Sequence, residues 1–68
     1  MVTAEEARIL VRNAGLTQEE LGEILLLINT ESAATLPVFE GLCNNEVAAT
    51  VRALLNSRRQ AGDQPSSG

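Results

Sequence analysis

The stretch AGLTQEELGEILLLI (residues 14–28) decides how this chain is read. Gly15 supplies the left-handed position that closes one helix, and Thr17 opens the next. Thr17 and Glu20 stand at capping-box spacing: the threonine hydroxyl can accept from the backbone N–H of Glu20, and the glutamate can reach back to the N–H of Thr17. Leu16 and Leu21 flank that start as a hydrophobic staple. At about 100° per residue, Leu21, Ile24, Leu25 and Ile28 fall on one face, with Glu19, Glu20 and Glu23 on the other. A helix over 18–28 follows. Its second half breaks the amphipathic rule, because Leu26 and Leu27 project towards the side that the glutamates hold a turn earlier. Something must cover them, either the rest of this chain or a second copy.

Working outward, TAEE (3–6) repeats the same start signal, with Thr3 as cap and Glu6 at the box position. Ala7, Leu10, Val11 and Ala14 then share one face, which predicts a helix over 4–14. The link to the next helix is only Gly15–Thr17, so the two must turn sharply and pack together. Downstream, Asn29, Thr30 and Ser32 are turn and cap residues. Pro37 favours the first turn of a new helix, and Gly41 breaks it. Short helical turns over 31–36 and 37–42 are expected, with Leu36, Val38, Phe39 and Leu42 tucked under the helices as a lid. Asn44 and Asn45 offer an N-cap for a last helix over 45–59, whose buried stripe is Val47, Ala48, Val51, Leu54 and Leu55. Arg58 and Arg59 would suit the negative end of its dipole. The polar tail QAGDQPSSG (60–68) has no periodicity. The expected fold is therefore all-α, a small three- to four-helix orthogonal bundle over residues 1–60, with a disordered tail over 61–68.

Composition narrows function mainly by exclusion. The chain has 68 residues, a net charge of −4, no histidine, one cysteine and one phenylalanine. All its basic residues are arginines: Arg8, Arg12, Arg52, Arg58 and Arg59. Without His or Lys, neither a Ser/His/Asp set nor a Ser/Lys pair can be assembled. Cys43 lacks an activating base and is expected as a small buried apolar residue. It cannot form an intrachain disulfide, which fits a reducing, cytoplasmic setting. Glu19, Glu20 and Glu23 form the densest acidic cluster, yet without loop oxygens they make a poor cation cage and read as a solvated face. No metal, cofactor or catalytic residue is expected. No apolar run is long enough for a membrane span, and the longest, Ile24–Ile28, falls far short.

The run GLTQEELGEIL (15–25) resembles the scaffold helix of bacterial helix-turn-helix repressors, where an LTQEELA-x-L run precedes a tight turn and a recognition helix. The resemblance implies a DNA-binding transcriptional regulator, which stands as the alternative function. The continuation departs from the family. Where the scaffold helix should end soon after Leu25, this chain carries on through Leu26, Leu27 and Ile28. The segment placed as a recognition helix, NTESAATLPVFEGL (29–42), holds two glutamates and a proline, and no Lys or Arg occurs between Asn13 and Val51. Phosphate neutralisation needs such cations, and a single aromatic makes no RNA-stacking platform. Nucleic acid is not an expected partner.

What remains is surface. Ile9, Leu26 and Leu27 are apolar residues in surplus of the core stripes, and Glu19 and Glu23 form a charged stripe beside them. These five are the expected interface. The leading reading is a small non-enzymatic protein–protein interaction module, an adaptor, inhibitor or regulator, working as a homodimer that engages another protein and not a membrane. An assembly domain of a longer polypeptide is a third, weaker reading.

Overall fold

The computed structural model describes residues 1–63. Four helices follow in order: α1 (Ala4–Arg12), α2 (Gln18–Thr30), the single turn α3 (Ser32–Thr35) and α4 (Val47–Asp63). Two 3₁₀ turns, Leu36–Phe39 and Asn44–Glu46, lie between α3 and α4. No strand occurs among the described residues, and the fold is an all-helical bundle.

The starts of α1 and α2 form as the sequence predicts. Thr3 Oγ1 accepts from the Glu6 N–H, and a Glu6 carboxylate oxygen accepts from the Thr3 N–H, both at 3.1 Å. Thr17 and Glu20 repeat this with the same two distances of 3.1 Å. Gly15 takes φ +77°, in the left-handed region that glycine enters without steric cost. Gly41 does the same at +76°, where the chain leaves the second lid turn.

The ends differ from expectation. α1 stops at Arg12 rather than residue 14: the Asn13 N–H makes the last α-helical bond, to the Ile9 carbonyl at 3.2 Å, whereas the Ala14 N–H tightens to the Val11 carbonyl three residues back, at 3.3 Å, just before the left-handed Gly15. α2 runs to Thr30, whose hydroxyl donates to the Leu26 carbonyl at 2.8 Å. Such a back-bond lets a threonine finish a helix instead of starting a turn. The last helix is preceded by its own 3₁₀ turn, capped at Cys43 rather than at an asparagine: a Glu46 carboxylate oxygen accepts from the Cys43 N–H at 3.1 Å. Cys43 is accordingly exposed and not buried, since a residue at a capping position stands outside the helix it starts. α4 also continues through Ala61–Asp63, three residues into the expected tail. Gly62 lowers helix propensity without breaking a helix. The remainder of that tail, 64–68, lies outside the described residues.

The core forms where the stripes meet. Ala7 and Val11 of α1, Ile24 and Ile28 of α2, and Val47, Val51 and Leu55 of α4 are buried around Phe39. Phe39 is the largest fully buried side chain, at 1% exposure. The lid thus delivers the chain's one aromatic to the centre of the bundle, with Leu36 and Leu42 packed half-buried beside it. Thr35 is the one buried polar side chain among the described residues, and its hydroxyl donates to the Leu27 carbonyl at 3.4 Å. That carbonyl also accepts from the Glu31 N–H at 2.7 Å. The Leu27 carbonyl, in the last turn of α2, thus takes a second donor from the lid, the Thr35 hydroxyl, beside the Glu31 N–H that closes the helical ladder.

Candidate functional site

The seam between α2 and α4 is where surplus apolar side chains and charges meet. Arg52 Nε lies 3.1 Å from a Glu20 carboxylate oxygen. About two turns further along α4, Arg59 donates to both carboxylate oxygens of Glu23, at 3.0 and 3.3 Å. Arg58 reaches Glu31, at the end of α2, at 2.8 Å. Because α4 continues to Asp63, Arg58 and Arg59 lie inside the helix rather than in its last turn. Their partners are carboxylates of α2 and its C-cap, not the terminal dipole of α4. The hydrogen bond from Arg52, aided by the one from the Thr17 N–H, holds the Glu20 carboxyl below its ordinary value of 4.5.

Between these ion pairs runs a groove of about 240 Å³ lined by Glu23, Leu26, Leu27, Leu55, Arg58 and Arg59. Its floor is aliphatic and its rim carries both signs of charge. Leu27 lies half-buried against the core. Leu26 stays 61% exposed, beyond the reach of the lid. A second, more polar depression between the same helices is lined by Glu20, Arg52, Ala53, Leu55, Asn56 and Arg59.

Of the five residues expected at an interface, Glu23, Leu26 and Leu27 come together in the groove. Glu19 lies on the solvent face of α2, and among the described residues no cation stands within 4 Å of it. Ile9, 54% exposed, sits on α1 among Glu5, Arg8 and Arg12 and lines no part of the groove. Sequence reading missed that Leu55 both closes the core and floors the groove. It also missed the assignment of Arg58 and Arg59 to Glu31 and Glu23, pairs 27 and 36 residues apart that no local spacing announces. Among the described residues no group of three metal-ligating side chains converges, and no helix is long and apolar enough to cross a membrane.

Comparison of the chain with protein-family models, with curated proteins and with solved structures gives no match.

Proposed function

We propose that this chain is a small non-enzymatic protein–protein interaction module of the cytoplasm, an adaptor, inhibitor or regulator that works as a homodimeric helical unit. The observation that carries the reading is Leu26. It is a large aliphatic side chain held 61% exposed at the mouth of an apolar groove, while the core closes without it. Leaving a leucine in water forgoes roughly 1.5–3 kcal/mol of burial, which a partner surface would recover. The mixed-charge rim supports a protein surface as the partner, since opposed charges around an apolar centre set the register of such contacts.

The placement of the arginines supports this reading over the DNA-binding one. Arg52, Arg58 and Arg59 are each engaged by a glutamate. A DNA reader needs those cations for phosphates.

Sedimentation of the wild type and of Leu26→Glu, alongside retention on heparin, tests the proposal. The expected result is a concentration-dependent dimer that Leu26→Glu abolishes while the helical spectrum is kept, with flow-through on heparin at low salt. A monomer at all concentrations together with salt-sensitive heparin retention would overturn it in favour of the regulator.

A further inference from the structure

We propose that the outward stripe of α2 is the contact of a two-fold dimer, with two α2 helices antiparallel and Leu26 of each copy seated on Gly22 of the other. This rests on the homodimeric reading above and fixes its register.

Glu19, Gly22, Leu26 and Asn29 are all exposed and are spaced three, four and three residues apart. That is the spacing of a seam along which one helix lies against another. The stripe is centred opposite the buried Ile24 and Ile28, so it is the face of α2 that the bundle leaves uncovered. Gly22 sits in the middle of it. Nothing in the fold asks for glycine there: its φ is not positive, and a Cβ added to it would meet no atom within 4 Å. A glycine in a helix interior is unfavourable, and its use is to let another backbone or side chain approach closely. Leu26, one turn away on the same face, has the size to fill the notch.

The spacing is symmetric about Ile24. A two-fold axis there sets residue 26 against residue 22 of the second copy, and residue 29 against residue 19. The charges follow the same symmetry. Arg8 donates from Nη2 to Asn29 Oδ1 at 3.3 Å, so its guanidinium stands at the Asn29 end of the stripe. Among the described residues no carboxylate lies within 4 Å of Arg8, and no cation within 4 Å of Glu19. The axis that seats Leu26 on Gly22 therefore brings Glu19 to the Asn29 and Arg8 of the second copy, and the contact occurs twice. A parallel pairing would instead stack Glu19 on Glu19 and leave the two glycines facing each other. An isologous contact needs one self-complementary patch. This stripe is such a patch in both shape and charge.

The test is sedimentation velocity on the full chain, from about 1 to 200 μM, with far-UV circular dichroism on each sample to confirm folding. Gly22→Leu fills the notch on an exposed face and is expected to weaken the dimer at least about tenfold. Glu19→Arg and Arg8→Glu, each alone, place like charges together and are expected to do the same. Mixed one to one, these two variants regain opposite charges at both contacts, and association is expected to return to within about threefold of wild type. A Gly22→Leu protein as dimeric as wild type, or a mixture that stays monomeric, overturns this register and leaves the homodimeric reading standing. A wild type that is monomeric throughout overturns both.

Discussion

Gly22→Ala separates what the bundle requires from what its outer face offers. Ala is about 0.8–1.0 kcal/mol more favourable than Gly in a helix interior, provided that the backbone conformation suits it and the methyl meets no obstacle. Both conditions hold here: the residue is helical without positive φ, and the added Cβ points into open space. Nothing is subtracted from the propensity gain, so the variant should be stabler by about 0.5–1 kcal/mol. In a domain this small, that raises the melting temperature by roughly 2–8 °C. The assay is thermal and urea denaturation followed at 222 nm, with protein at about 1 μM so that a weak dimer is dissociated. A variant less stable than wild type at that concentration would refute the reasoning, because it would mean that an atom of the same chain occupies the space beside Gly22.

Phe39→Ala should cost about 3–5 kcal/mol, a large share of the stability of a 68-residue chain; a cooperative melt close to wild type would show that the lid does not carry the core. Thr17→Ala should cost about 1 kcal/mol by removing the α2 cap, read as a lower urea midpoint at unchanged slope. For Glu20, the folded carboxyl titrates below its ordinary value of 4.5, so its contribution is complete above that pH and is lost as pH falls through the lower folded value. Glu20→Gln keeps the capping reach but not the pairing with Arg52, so acid titration should show a shallower loss of stability below pH 4.5 than in wild type. An identical acid limb in the two proteins would exclude that pairing.

Much of the fold is written locally. Thr3 with Glu6, and Thr17 with Glu20, close rings within four residues, and Gly15 needs only its own φ, so helix starts and the sharp first link are legible from the chain alone. The buried faces of α1, α2 and α4 are legible for the same reason, since a helical period fixes which side chains share a side. Cys43 was misread because burial habit is a property of residue type, whereas its capping position is a property of the turn that Glu46 closes.

The candidate site needed the tertiary structure. Leu26 and Leu27 are neighbours in sequence and equally apolar, yet about 100° of helical rotation sends Leu27 onto the core and leaves Leu26 in water. Which of them the lid reaches depends on how Thr35 and Phe39 are carried back against α2, a matter of packing rather than period. The arginines behave alike. Their charges were visible at once, but only the docking of α4 beside α2 matches Arg52, Arg58 and Arg59 with Glu20, Glu31 and Glu23. Local hydrogen bonds and helical period act over one or two turns, and a sequence states them directly. Pairings between distant segments follow from how the packed faces settle against each other, and that is decided only when the whole core closes around Phe39.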